Sequence, residues 1–371
     1  MEQTIQSLRS AQALAASVMK RYSPEKALWH YEHGVLMQSL LALGLEVEDQ
    51  SYEDFVVLRM QTLVTEGGEI PTYRLEDYNL DQINPGKVLL ELYARRGEER
   101  YKKAAQTLRY QLQYHPRTSE GGFWHKKIYP HQIWLDGQYM QGPFYARYAR
   151  DFNEPAVFDD VTSQLLLTEA RTRNPSNGLL YHAWDESRKQ LWANLRTGCS
   201  PHFWGRAMGW FAMALVDVLD MLPAGHSKWE EIIQAVRRLA GAVLDVQDRE
   251  VGLWYQVLDQ GEREKNYIET SASSMFTYFL AKAARLGYLE EDVSVRARRG
   301  AQRALQALID DYLIADREGD LHLHGICSVA GLGGTPYRDG SYDYYVKEPV
   351  AADDFKGVGP FIMACIEVNR L

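Results

Sequence analysis

Apolar positions recur with helical period along nearly the whole chain. They predict about twelve helices, over 4–21, 31–44, 52–66, 81–96, 98–113, 136–150, 155–172, 203–222, 227–248, 268–287, 291–313 and 354–370. Two kinds alternate. Segment 227–248 spaces Ile232, Val236, Leu239, Val243 and Val246 at steps of four and three, with Arg237, Arg238 and Asp245 opposite, as a helix with one face in water does. Segment 203–222 contains AMGWFAMALVDVLDM and is apolar nearly all round, so it must be covered on every side.

The buried kind resemble one another. Each carries a small residue ahead of an apolar run: Gly34, Gly86, Gly142, Gly209, Ser274 and Gly359. A small residue there lets neighbouring helices approach closely. A second repeat lies in the connections: GGFWH (121–125), GLLYH (178–182) and GLWYQ (252–256) each precede an inner helix. They read as short extended segments on a rim, with His125, His182 and Gln256 in equivalent places. Six outer and six inner helices in alternation predict an all-α fold, an (α/α)6 barrel of six helical hairpins. The long, uneven connections, rich in Gly and aromatics, argue against an open solenoid. No Pro/Ser/Gly linker divides the chain, so residues 1–371 read as one catalytic domain.

With 46% hydrophobic residues the chain can bury a large core. A net charge of -9 argues against a nucleic-acid partner, and means that an anionic ligand needs a local group of cations. The apolar N-terminal stretch is broken by Gln, Ser and Arg at helical spacing and reads as a helix rather than a signal peptide. No apolar run is long enough to span a membrane. Cys199, Cys327 and Cys365 are odd in number and widely spaced, which suggests free thiols and a cytoplasmic setting. The 9 Trp and 23 Tyr are high counts; most suit the core, and the rest can line a cleft, since ring faces stack well on sugars.

The densest chemistry lies in HQIWLDGQYMQGPF (131–144). Asp136 falls at the start of an inner helix, where its carboxyl can face the barrel mouth beside Trp134, Tyr139 and Met140; the plainer role is a helix cap. Asp81, in YNLDQINPGK, stands at the start of the preceding inner helix and has the same two readings. A helix N-terminus lowers a carboxyl pKa, while burial and a like charge raise it, so one of the two can stay protonated as a general acid. WGRAMGW (204–210) opens the next inner helix. There Trp204 and Arg206 can face the same cavity, with Arg206 either forked onto a sugar carboxylate or paired with Asp81 or Asp136. His125, Lys126 and His182 end rim segments and can reach sugar hydroxyls. His322 and His324 lack the partners of a zinc site, and there is no phosphate loop, dinucleotide fingerprint or nucleophile elbow. Neither metal nor cofactor is expected.

The ordered strings LDQINPGK, IWLDGQYMQGPF, WGRAMGW, ETSASSMF, VAGLGG, RDGSYDYYV and DDFKGVGPF resemble the unsaturated rhamnogalacturonyl hydrolase family of glycoside hydrolases, from about residue 80 to the C-terminus. The resemblance implies a six-hairpin barrel that removes a 4,5-unsaturated uronic acid from the non-reducing end of lyase-generated oligosaccharides, as in pectin breakdown. It implies catalysis by Asp136, with Asp81 as second carboxylate. It implies substrate contacts at His125, Lys126, Trp134, His182, Trp204, Arg206 and Trp210. It further implies C4 protonation and hydration of the C4=C5 bond by one acid/base residue. The alternatives are an unsaturated glucuronyl hydrolase, a sugar epimerase using His125 and His182, or a non-catalytic glycan-binding protein.

Overall fold

The computed structural model describes residues 2–371. Helices follow one another as outer and inner partners. The first three hairpins are α1 (Glu2–Arg21) with α2 (Tyr31–Glu46), α3 (Ser51–Leu63) with α4 (Gly86–Arg96), and α5 (Glu99–Tyr114) with α6 (Leu135–Asp151). The next two are α7 (Val157–Thr172) with α8 (Gly205–Leu219), and α9 (Trp229–Asp245) with α10 (Thr270–Arg285). After α11 (Glu291–Ala307) comes a short helix in a rim loop, α12 (Tyr342–Lys347), and then the last inner helix, α13 (Phe355–Asn369). The inner helices pack in the order α2, α4, α6, α8, α10, α13 and back to α2, so the ring is closed. The expected (α/α)6 barrel is the observed fold. As its pattern requires, every residue of α8 is buried, whereas α9 buries only one face.

The small residues do what their repetition suggests. A Cβ on Gly209 would come within 2.9 Å of Met275 in α10. One on Gly359 would stand 2.6 Å from Val35 Cγ1 and 3.1 Å from the Val35 carbonyl oxygen in α2. The glycines that begin the three rim repeats, Gly121, Gly178 and Gly252, all have positive φ (91°, 75° and 81°), a turn that side chains resist.

The rim segments complete the inner helices. The first N–H groups of a helix have no partner inside it. Here Leu135 N donates to the His182 carbonyl (3.1 Å), Gly205 N to Gln256 (2.9 Å) and Thr270 N to Gly325 (3.0 Å). Ahead of α4, Leu80 N donates to His125 in the same way (3.1 Å). Three two-stranded antiparallel sheets also lie among the connections, outside the helical reading: β1 (Gln132–Trp134) with β2 (Ala183–Asp185), β3 (Leu313–Ala315) with β4 (Leu321–Leu323), and β5 (Ile326–Cys327) with β6 (Val350–Ala351).

Two expected spans change for physical reasons. The helix expected over 81–96 begins only at Gly86, after a 3-10 turn over Leu80–Ile83. Pro85 has no N–H to give the Asp81 carbonyl, so an α-helix cannot run through it. As a result α4 sits deep: the Asn84 amide meets Met140 Sδ at 3.5 Å, and a Cβ on Gly86 would lie 2.7 Å from the Phe144 ring. The span 291–313 ends as α-helix at Ala307, passes through one wide turn and becomes β3. There His322 bonds Asp353 (2.5 Å) and Asp316 (3.3 Å).

The close approaches generate a paired test. Gly359→Ala should cost about 1–3 kcal/mol in urea unfolding, because the Val35 backbone cannot move aside. Gly142→Ala should be neutral or slightly stabilising, since its Cβ would meet only Val218 at 3.4 Å and Ala favours the helix. Equal effects at the two positions would contradict close packing as the reason for these glycines.

Candidate active site

The register of β1 against β2 builds the centre of the site. Trp134 pairs with Ala183, and the Leu135 N–H then reaches the carbonyl of His182. The next residue, Asp136, is thereby set beside the His182 ring, with Nε2 3.3 Å from Oδ2. Asp136 is not a cap: α6 has no side-chain cap, and Asp136 Oδ2 is buried without a hydrogen-bond partner. His182 is wholly buried rather than solvated, and its Nδ1 lies 2.7 Å from the Tyr345 hydroxyl of α12. With the ring proton on Nε2, Tyr345 donates to Nδ1 and His182 faces Asp136 as a donor.

Asp81 lies in the turn before α4, not at the helix start as expected, and Asn79 is the residue that caps this turn. One Asp81 oxygen is 2.5 Å from Lys126 Nζ and the other 3.7 Å from His125 Nε2. Burial alone would raise its pKa, but the charge of Lys126, aided by His125, outweighs burial and holds it below the ordinary carboxylate value. Lys126 is therefore paired with Asp81 rather than standing as a free cation. His125 is buried, and burial pushes its pKa down to about 4 despite Asp81 nearby.

Arg206 bonds neither carboxylate. It is 1% exposed, and its Nη2 donates to the Cys327 carbonyl. Its Nε and Nη1 are buried with no partner. Burial disfavours its charge, but Cys327, Glu269 and Asp354 more than offset this and raise its pKa. Among the described residues it is thus a buried cation with two nitrogens left unpartnered.

Rings frame these groups. Trp134 stacks on His125 (4.7 Å between centroids) and on Tyr129 (4.9 Å). Trp204 lies 4.8 Å from the His182 ring and 5.2 Å from the Arg206 guanidinium, and Gln256 fixes it by accepting from its indole N–H (3.0 Å). Trp210 stacks on Tyr139 (4.8 Å) and meets Tyr31 edge-on (6.4 Å).

Tyr31, on the first turn of α2, was missed by sequence reasoning. It feels the charges of Asp81, Arg206 and Asp136 together, so it stands among them. A signal was present: Tyr31 precedes Gly34 by three residues, as Arg206 precedes Gly209. Tyr345 was also missed, because only folding brings α12 to His182.

A closed helical barrel with a carboxyl, buried histidines and tryptophans at its mouth suits an enzyme or a binding protein for sugars. The chain belongs to Glycosyl Hydrolase Family 88, whose family model matches residues 10–371. That decides for a hydrolase over an epimerase or a binding protein. The chain is 44% identical to a family 105 glycoside hydrolase of C. acetobutylicum ATCC 824 of known structure, over 97% of this chain and 99% of that one, with a TM-score of 0.93. It is 45% identical over 227 residues to Protein Atu3128 of Agrobacterium fabrum, covering 61% of this chain and 96% of that protein. It is 26% identical over 294 residues to the unsaturated rhamnogalacturonyl hydrolase YesR of Bacillus subtilis, covering 74% of this chain and 80% of that protein.

Buried histidines carry a stability consequence. Burial pushes His33, His115 and His125 each from 6.5 down to about 4. All three stay neutral in the folded protein at pH 5 but take protons when it unfolds. Their contribution is present above pH 6.5 and is lost as the pH falls through about 4. Urea midpoints should therefore drop steadily from pH 7 to pH 4, with net proton uptake on unfolding near pH 5. A flat profile over that window would contradict the burial argument.

Proposed function

We propose that this hydrolase removes 4,5-unsaturated galacturonyl residues from the non-reducing end of lyase-generated oligosaccharides, with the unsaturated rhamnogalacturonan disaccharide as preferred substrate. The observation that carries the reading is the pair of unpartnered groups in one ring-lined mouth: the Asp136 carboxyl beside His182, and the free edge of the Arg206 guanidinium. The likeness to the Bacillus enzyme supports the choice of galacturonyl over glucuronyl.

In this reading Arg206 holds the uronate carboxylate through Nε and Nη1, a fork that Lys cannot reproduce. Trp134, Trp204 and Trp210 wall the sugar, and Tyr31 and His125 lie within reach of its hydroxyls. Asp81, held ionised by Lys126, is a poor proton donor, so the proton for C4 comes from Asp136. Protonation of C4 builds oxocarbenium character at C5 and the ring oxygen. Water adds at C5 and gives its proton to the Asp136 carboxylate. The hemiketal opens to a C5 ketone, and the freed hemiacetal at C1 expels the aglycone. One residue serves as acid and then base. The spacing rule for two-carboxylate glycosidases has no bearing on it. The three buried free thiols, Cys199, Cys327 and Cys365, fit work in a reducing cytoplasm on imported fragments.

Asp136→Asn should keep the fold by circular dichroism and lose about 10²–10⁴-fold in kcat, because an amide cannot deliver the proton. Turnover within about tenfold of wild type on the unsaturated galacturonyl disaccharide would end the assignment. A parallel assay on an unsaturated glucuronyl disaccharide should give the lower kcat/KM. Arg206→Lys should lose about 10- to 150-fold in kcat/KM, chiefly through KM, as a charged hydrogen bond of about 1.5–3 kcal/mol disappears. A KM close to wild type in that variant would place the uronate carboxylate elsewhere.

A further inference from the structure

Below the mouth, the stacked rings of Tyr139 and Trp210 form a floor, and the lumen continues toward the C-terminal ends of the inner helices. There it holds a second cavity of about 210 Å³, lined by residues of α2, α4, α6, α8 and α10. It opens to solvent at the far end, where its lining residue Leu45 is 64% exposed. Its volume equals roughly seven waters at about 30 Å³ each.

Lys87 lines this cavity because α4 begins deep in the barrel. It is 4% exposed, and its Nζ has no hydrogen-bond partner, resting 3.6 Å from the centroid of the Tyr139 ring. Gln38, on the α2 wall, likewise leaves its side-chain carbonyl oxygen buried and unpartnered. Every other charged side chain lining the cavity has an ion-pair partner. On α10, Lys282 bonds Asp217 of α8 (2.7 Å) and Asp220 just past its end (2.6 Å), and the Tyr278 hydroxyl also donates to Asp217 (2.5 Å). On α6, Arg147 pairs with Glu91 and Asp151; on α4, Arg95 pairs with Glu91 and Glu53. A buried donor and a buried acceptor left open in one cavity are each costly unless something fills them.

The geometry points to a second binding site, in the lower lumen, for a small hydroxycarboxylate monoanion whose carboxylate takes Lys87 and whose hydroxyl donates to Gln38. A monoanion fits because Lys87 is the lining cation that makes no ion pair, and because a second negative charge would face Asp217 and Asp220, which already share the single cation of Lys282. Burial holds the empty-site Lys87 amine down at about 7, with Asp217 pulling the other way. An anion favours the charged amine, so binding should take up a proton at pH 8 and scarcely any at pH 6. Affinity should fall about tenfold from pH 6 to pH 8, following the charged fraction of that amine.

Isothermal titration of the whole enzyme with glycerate, at pH 6 and pH 8 and in two buffers of different ionisation heat, tests this. Glycerate should bind with that pH dependence, and neutral glyceramide should not. Lys87→Met should remain folded and weaken glycerate binding at least tenfold at pH 6; Gln38→Leu should weaken it several-fold. Arg206→Ala should bind glycerate as wild type does, which separates this site from an anion held at the mouth. Absence of binding, pH-independent binding, or binding unchanged in both Lys87→Met and Gln38→Leu would overturn the proposal. Tighter binding of inorganic phosphate than of glycerate at pH 8, where phosphate is mainly a dianion, would overturn the monoanion assignment.

Discussion

The site depends on one backbone arrangement. An inner helix presents N–H groups that it cannot satisfy itself, and the rim segment of the following hairpin supplies the carbonyl. The bonds from Leu135 to His182, Gly205 to Gln256 and Thr270 to Gly325 join successive hairpins around the mouth, and Leu80 to His125 does the same ahead of α4. Each bond also fixes which side chains meet. The carbonyl that completes α6 belongs to His182, so the ring of His182 must lie beside Asp136. The carbonyl ahead of α4 belongs to His125, so His125 and Lys126 must lie beside Asp81. Capping and site assembly are a single event in this fold.

Charge is then divided unevenly. Asp81 and Lys126 neutralise each other, and Lys356 is held by Asp354 (2.8 Å) and Glu32 (2.5 Å) in the first turn of α13. Arg206 is left with two unpartnered nitrogens and Asp136 with an unpartnered oxygen. Buried groups normally find partners, and those that do not are candidates for meeting a ligand. A protein of net charge -9 can in this way offer an anion a positive site without a positive surface.

The architecture was legible because each helix states its environment in its own period. Apolar residues all round one helix and along one stripe of the next already require an inner and an outer layer. The rim repeat was legible for the same reason, and with it the equivalence of His125 and His182. What local pattern could not show was set by distant contacts. The depth of α4 follows from one proline and from the bulk of Phe144. Lys126 was readable as a cation, but its commitment to Asp81 depends on an isolated bridge between Asn79 and Lys126. The fourth rim carbonyl, Gly325, lies in HLHGI, which lacks the apolar triplet of the other three. Tyr345 arrives from a loop more than 160 residues beyond its partner, as the sequence separation of 163 from His182 requires.

The central claim is that the proposed proton from Asp136 goes to C4 of the sugar and not to the glycosidic oxygen. A C-glycoside of the unsaturated galacturonate, in which carbon replaces that oxygen, separates the two chemistries. If C4 is protonated and C5 hydrated, the wild-type enzyme will abolish the ultraviolet absorbance of the conjugated C4=C5 bond while releasing no aglycone. If the C-glycoside binds competitively with the natural substrate yet keeps its absorbance indefinitely, protonation occurs at the glycosidic oxygen and the account is wrong.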